Sequence, residues 1–179
     1  MTPRKSLQQI GLECGTDKST AHSYLPIYEE AFDHLRDSPI SLCEVGILEG
    51  ASMKMWLEYF TLAHIYGIEA SNFTKFADKR LTTYCCNAAS EAVGKLFHPV
   101  SLDIIVDDGS HEISQVWDTY RYLMPALKVG GLYLIEDLQD CKNLDKWANA
   151  PGFKVWANFR GMNGHYRNDD VLVMVRKGG

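Results

Sequence analysis

The chain has 179 residues, 46% of them hydrophobic and 23% charged, with a formal net charge of −5 at pH 7. These ordinary globular values argue against disorder and collagen-like repetition. The mild acidic excess argues against a general nucleic-acid-binding surface, which needs clustered Lys and Arg.

A chain this long buries roughly 70% of the surface its unfolded form exposes, so it folds without the help of disulfides or metal. Its longest apolar runs, Leu102–Val106 and Gly131–Ile135, are far too short to span a membrane. The opening MTPRKSLQQIGLECGTDK lacks the apolar core of a signal peptide, so a cytoplasmic protein without a membrane partner is expected. Cys14, Cys43, Cys85, Cys86 and Cys141 include no C-x-x-C pair and are expected to be reduced, buried thiols.

Residues 6–23 carry turn formers without strong periodicity. Leu25, Tyr28, Phe32 and Leu35 are spaced as on a helix over Leu25–Leu35, which Asp37-Ser38-Pro39 ends. Ile40–Val45 reads as a buried strand running into Gly46, followed by a helix from Gly50 to Phe60 and a strand over Ala63–Ile68. A helix is expected over Asn72–Lys79, a strand over Leu81–Cys86 and a helical turn over Glu91–Leu96. Leu102–Val106 is the strongest strand, stopped by Asp107-Asp108-Gly109. A helix over Ile113–Leu127 then leads through Val129-Gly130-Gly131 into a strand at Leu132–Ile135. Phe153–Asn158 and Val171–Arg176 complete the set of strands.

Strands alternating with helices predict an α/β fold, a doubly wound and mainly parallel sheet with helices on both faces. Ligands of such sheets bind beyond the carboxyl ends of the strands. The polar residues there are Glu44, Gly46, Glu69, Asn87, Asp107, Asp108, Glu136 and Asp137, a strongly acidic set.

Gly46 and Gly50 allow backbone to approach a ligand, but they form neither G-x-G-x-x-G nor a P-loop. Glu44 beside them suits a positive or hydroxylated ligand better than a pyrophosphate. Glu69 ends the second strand about 20 residues beyond the glycine turn, where nucleoside-binding α/β folds hold ribose hydroxyls. Asp107-Asp108-Gly109-Ser110-His111 and Glu136-Asp137-Leu138 end strands that can be neighbours. Converging carboxylates repel unless protons or a cation intervene, and Mg²⁺ suits oxygen ligands. His111, three residues after Asp108, is placed to take a proton near neutral pH.

Taken together, these motifs resemble class I S-adenosylmethionine-dependent methyltransferases. More closely, they resemble the metal-dependent O-methyltransferases of macrolide sugars and the related cephalosporin-hydroxylase-like proteins. The resemblance runs through Gly15-Thr16-Asp17-Lys18, His22-Ser23-Tyr24, Tyr28, Glu44-Val45-Gly46 and Gly67-Ile68-Glu69. It continues through Asp107–His111, Gly130-Gly131-Leu132-Tyr133, Glu136-Asp137-Leu138 and Asp169-Asp170-Val171-Leu172.

The resemblance implies a Rossmann-like sheet of seven strands, one antiparallel. It implies one domain over 1–179, with 1–38 a cofactor-covering segment and helix and 39–179 the core. It further implies S-adenosylmethionine against Gly46 and Gly50 with its ribose on Glu69, and contacts from Glu44, Asn87, Ala88 and Asp107. His22 and Tyr24 would reach the cofactor from the N-terminal segment. Mg²⁺ or another divalent ion would lie on Asp108, Glu136 and Asp137, with Asp108 or His111 as the base. Two departures stand out: Glu69 replaces the commoner Asp, and Tyr84–Ser90 replaces a more acidic segment.

The expected reaction is metal-assisted methyl transfer to a hydroxyl of a small polyhydroxylated molecule, a sugar or natural product. Trp117, Tyr120, Tyr122, Trp147, Trp156 and Tyr166 are candidate acceptor-pocket aromatics. Expected partners are that acceptor and, in a homo-oligomer, further copies of the chain. The alternatives are a noncatalytic adenosylmethionine-binding domain and a metal-dependent hydrolase or hydroxylase. A nonhaem iron site would want two His, and His111 is the only His among the clustered motifs.

Overall fold

The computed structural model describes residues 4–73, 75–138, 153–156 and 171–178, with backbone alone at 153–156. The chain opens with α1 (Leu7–Cys14), in the stretch where the sequence shows no strong periodicity. Its signals are at its ends. The Ser6 side chain accepts from Gln9 N–H while the Gln9 side chain accepts from Ser6 N–H, a capping box. Gly15, at φ 74°, closes the helix with its N–H on the Gly11 and Leu12 carbonyls.

A 3-10 turn at Asp17–Ser19 leads to α2 (Leu25–Phe32), with Pro26 in its first turn. A further 3-10 turn at Asp33–Leu35 tightens the end of the expected helix. There follow β1 (Ser41–Val45), α3 (Ala51–Tyr59), β2 (His64–Glu69), β3 (Leu81–Cys85) and β4 (Leu102–Asp107). The chain continues through α4 (Ile113–Leu123), β5 (Leu127–Ile135), β6 (Phe153–Trp156) and β7 (Leu172–Arg176).

Two expectations are corrected. The described residues of 72–79 form a loop, not a helix: Phe73 and Phe76 pack edge to face at 5.3 Å, and Asp78 accepts from Arg80 N–H to turn the chain into β3. The helix expected to reach Leu127 ends in a 3-10 turn at Met124–Ala126, and β5 starts at Leu127, which pairs with Leu102. Pro125 cannot continue the helical hydrogen-bond ladder, so the chain leaves it there.

The sheet order is β3-β2-β1-β4-β5-β7-β6. The first five of these strands are mutually parallel, and β7 runs antiparallel to both β5 and β6. The chain moves outward from β1 to β3 and then crosses back to β4, so the switch point lies between β1 and β4.

Successive strand residues face opposite sides of the sheet. Leu42, Ile104, Val106, Leu132 and Leu134 pack against α1, α2 and α3. Cys43, Ile105, Tyr133 and Ile135 pack on the other side, against α4. The first side is rich in rings: Trp56 lies within 5.9–6.2 Å of Tyr28, Phe32 and Phe60.

Hydrogen bonds continue past the strand ends. Gly46 N–H donates to Ile68, Asp108 N–H to Val45 and Glu136 N–H to Asp107, each at 2.9 Å, so the acidic residues leave the sheet in fixed register. No helix among the described residues is long and apolar enough to cross a membrane. Of the described cysteines only Cys43 is buried, a correction to the expected set of buried thiols; Cys141 lies outside the described residues.

Candidate functional site

A cavity of about 420 Å³ opens beyond the carboxyl ends of β1, β2 and β4. The strand parity described above decides toward which side of the sheet each acid turns. Glu44, Asp108 and Glu136 share the parity of Leu42, Val106 and Leu134, so they turn toward the side that α1–α3 cover. There they meet Lys18, which is 1% exposed. Its Nζ lies 2.5 Å from Asp108 Oδ2, 2.7 Å from Glu136 Oε2 and 3.2 Å from Glu44 Oε1.

Tyr28 OH donates to Glu136 Oε1 at 2.6 Å, so both oxygens of Glu136 are taken. Trp56 Nε1–H donates to Glu44 Oε2 at 2.5 Å. Burial pushes the carboxyls of Glu44, Asp108 and Glu136 up, against the pull of Lys18. Burial also opposes the Lys18 charge, but the three carboxylates outweigh it and hold its pKa well above the ordinary lysine value.

Asp107 has the opposite parity, lies under the cavity and accepts from Tyr133 OH at 3.2 Å; burial pushes its pKa up to about 7. Asp137 is held from the N-terminal segment. Its Oδ1 accepts from Tyr24 OH at 2.6 Å and lies 3.1 Å from His22 Nδ1. Burial works against its charge, yet His22 and Tyr24 keep its pKa below the ordinary aspartate value.

Asp108, His111 and Asp137 each present one ligand atom, all within 4.8 Å of one another. His111 Nε2 lies 4.0 Å from Asp108 Oδ1, the oxygen that Lys18 leaves open. Two carboxylates beside an open cavity are a fitting donor set for a hard divalent ion that keeps further positions for substrate or water. His111 and Asp137 adopt φ 57° and 53°, and Leu48 across the cavity φ 41°. Such values are uncommon outside glycine and place these residues in a strained region.

On the cofactor side, Glu69 anchors the glycine turn. Its Oε2 accepts from Ile47 and Leu48 N–H at 3.1 and 3.0 Å, and its Oε1 from Ala70 N–H at 2.8 Å. Gly46 is at φ 79°, and a Cβ there would lie 2.0 Å from the Asp108 carbonyl oxygen, so only glycine lets the two loops meet.

Of the expected site residues, Gly46, Glu69, Asn87, Ala88, Asp108, His111 and Asp137 line the cavity. The others are placed differently. Glu44, Asp107 and Glu136 are buried beneath it, and Gly50 faces Phe73 and Phe76. His22 and Tyr24 brace Asp137 and do not line the cavity. Glu136 stands apart from the cluster of Asp108, His111 and Asp137, with its two oxygens on Lys18 and Tyr28.

Sequence reasoning gave Lys18 and Tyr28 no role, although both stand in the motif; a lysine between turn formers gave no sign that it would be buried. Asp17, Cys86, Gln115 and Thr119 also line the cavity without having been expected. Trp117 and Tyr120 lie on a separate surface groove with Met124 and Pro125. Trp147 and Tyr166 lie outside the described residues, as does the Trp156 side chain.

No family model matches the chain. The 8-demethyl-8-alpha-L-rhamnosyl tetracenomycin-C 2'-O-methyltransferase of Streptomyces olivaceus is 31% identical over 144 residues, 74% of this chain and 38% of that one. Demethylmacrocin O-methyltransferase of Streptomyces fradiae is 30% identical over 132 residues, 65% of this chain and 32% of that one. The MycE methyltransferase from the mycinamycin biosynthetic pathway, solved in complex with Mg and SAH, matches with a TM-score of 0.79 at 21% identity. That match covers 99% of this chain and 56% of MycE.

In sequence the chain is thus similar to named O-methyltransferases. One of these relatives is named for a rhamnosyl substrate, and the likeness to MycE shows a shared fold. The chain spans about a third of the length of these two curated relatives.

Proposed function

We propose that this methyltransferase-type chain transfers a methyl group from S-adenosylmethionine to a hydroxyl of a sugar or related polyhydroxylated natural product, with Mg²⁺ or another divalent ion at the site. The observation that carries this reading is the clustering of Asp108, His111 and Asp137 at one end of the cavity whose other parts are Gly46, Glu69 and Asn87. Relatives named for methylating a rhamnosyl tetracenomycin and demethylmacrocin support a glycosylated acceptor.

In this reading Gly46 and Glu69 would hold the nucleoside, Glu69 through the ribose hydroxyls, and Asn87 and Ala88 would hold its adenine. Asp108 and Asp137 would hold the divalent ion, because oxygen donors suit it. When bound, the ion lends Lewis acidity to an acceptor hydroxyl and the cofactor supplies an electrophilic methyl carbon. Glu69 fixes the glycine turn through Ile47 and Leu48, which sets where the cofactor lies. Tyr24 and His22 fix Asp137. His111, 4.0 Å from Asp108, takes the acceptor proton at Nε2 as general base. Glu44, Asp107 and Glu136 act from beneath, by shaping the floor, and touch neither substrate nor cofactor. Lys18, His22 and Tyr24 brace the site from the N-terminal side.

Calorimetric titration of S-adenosylmethionine and S-adenosylhomocysteine, with Mg²⁺ and then with EDTA, tests the cofactor. Micromolar binding is expected, followed by labelled-methyl transfer to sugar hydroxyls that EDTA suppresses. No binding in either condition overturns the reading.

A further inference from the structure

Lys18 carries an inference that deepens this reading of the site. An ammonium is rarely buried so fully, and a buried charge must be paired. Here one ammonium meets three carboxylates from three different strand ends: Glu44 near the end of β1, Asp108 just after β4 and Glu136 just after β5. Glu44 and Glu136 have other donors, Trp56 and Tyr28. Asp108 is the one member that also lines the cavity. Lys18 binds its Oδ2, and Oδ1 is left on the side of His111.

The lysine lies in the turn between α1 and α2, and that turn is itself fixed. Ser19 Oγ donates to the Thr16 carbonyl at 2.6 Å, and the Gln8 side chain donates to the Ser19 carbonyl at 2.8 Å. The ammonium therefore extends from a braced backbone turn to the Asp108 carboxylate.

We infer that Lys18 is the positioning residue of the metal site, a fixed internal cation that locks Asp108 by one oxygen so that the other faces the ion. This rests on the reading that Asp108 and Asp137 hold a divalent ion. Lys18 does not touch the ion, since like charges repel; it acts through Asp108. A group of this kind, one shell behind a ligand, typically changes metal affinity by roughly 10–100-fold when removed.

The test is Mn²⁺ titration, followed by calorimetry and by the electron paramagnetic resonance signal of free Mn²⁺, on proteins checked by circular dichroism and thermal melting. Lys18→Met alone leaves three buried carboxylates with no ammonium and is expected to unfold. The double variant Lys18→Met with Glu136→Gln removes one charge of each sign, so the cluster keeps its formal charge. Glu136→Gln alone, which leaves Lys18 on Asp108, is its reference.

The expected result is Mn²⁺ binding by the natural protein, its loss in Asp137→Asn, and affinity roughly 10–100-fold weaker in the double variant than in Glu136→Gln at equal helicity. A purely structural role for Lys18 would lower the melting temperature and leave Mn²⁺ affinity alone. Equal affinity in the double variant and its reference, with Asp137→Asn defective, overturns the role of Lys18 and leaves the site reading standing. Absence of Mn²⁺ binding in the natural protein overturns both.

Discussion

Tyr24 OH and Asp137 Oδ1 lie 2.6 Å apart across 113 residues of sequence. This contact joins the start of α2 to the turn after β5, and with Lys18 on Asp108 it ties the N-terminal segment to two neighbouring strand ends. The first 30 or so residues are thus part of the site's construction, not a cover laid on a finished one. Four substitutions examine the arrangement.

Asp137→Asn keeps an oxygen for Tyr24 to donate to, so the fold is expected to survive with a melting temperature a few degrees lower. It loses one of the two carboxylates proposed to hold the ion. Methyl transfer should fall to the level that EDTA leaves in the natural protein. Unchanged turnover, measured with labelled S-adenosylmethionine, would remove Asp137 from the metal site.

His111→Ala removes the proton acceptor at the cavity mouth. Turnover at neutral pH is expected to fall roughly 10²–10⁴-fold, the usual contribution of a general base. S-Adenosylhomocysteine and Mn²⁺ affinities should not change. If Mn²⁺ affinity falls as far as the rate does, His111 is a ligand and the base lies elsewhere.

Gly46→Ala places a Cβ 2.0 Å from the Asp108 carbonyl oxygen on a backbone at φ 79°. Left-handed backbone alone costs a non-glycine residue about 1–2 kcal/mol, and the clash adds about 1–3 kcal/mol. Urea unfolding should report a loss on that scale, together with weaker S-adenosylhomocysteine binding. A variant as stable as the parent would show that the two loops can separate freely.

Glu69→Gln puts an amide nitrogen where one carboxylate oxygen accepts backbone N–H groups. Hydrogen bonds to a charged group contribute about 1.5–3 kcal/mol. Cofactor affinity is therefore expected to drop on the order of 10–100-fold, read by calorimetry. Full affinity in this variant would detach Glu69 from both the turn and the ribose.

Much of this was legible in the amino-acid sequence, for physical reasons that also mark where it stopped. Runs such as Leu102–Val106 ending in acid located the strand ends, and with them the cavity. The same runs, read by parity, also tell which acids face the covered side: Glu44 follows Leu42 and Glu136 follows Leu134 at intervals of two. Their place at strand ends points to the ligand, while their parity points to the covered side. Lys18 was harder to place. Its burial depends on three partners that the sequence sets 26, 90 and 118 positions away, and no local pattern carries such a contact. The opening helix was missed because its apolar stripe is short, although Ser6, Gln9 and Gly15 mark both ends.

The left-handed backbone at Leu48, His111 and Asp137 rings one cavity. Each departure costs on the order of 1–3 kcal/mol, which in a protein stable by about 5–15 kcal/mol is a large share spent in one place. Heat resistance and activity therefore pull against each other at these three positions. A laboratory selection for thermostability alone should enrich glycine or asparagine at 48, 111 and 137, and its winners should be poor enzymes.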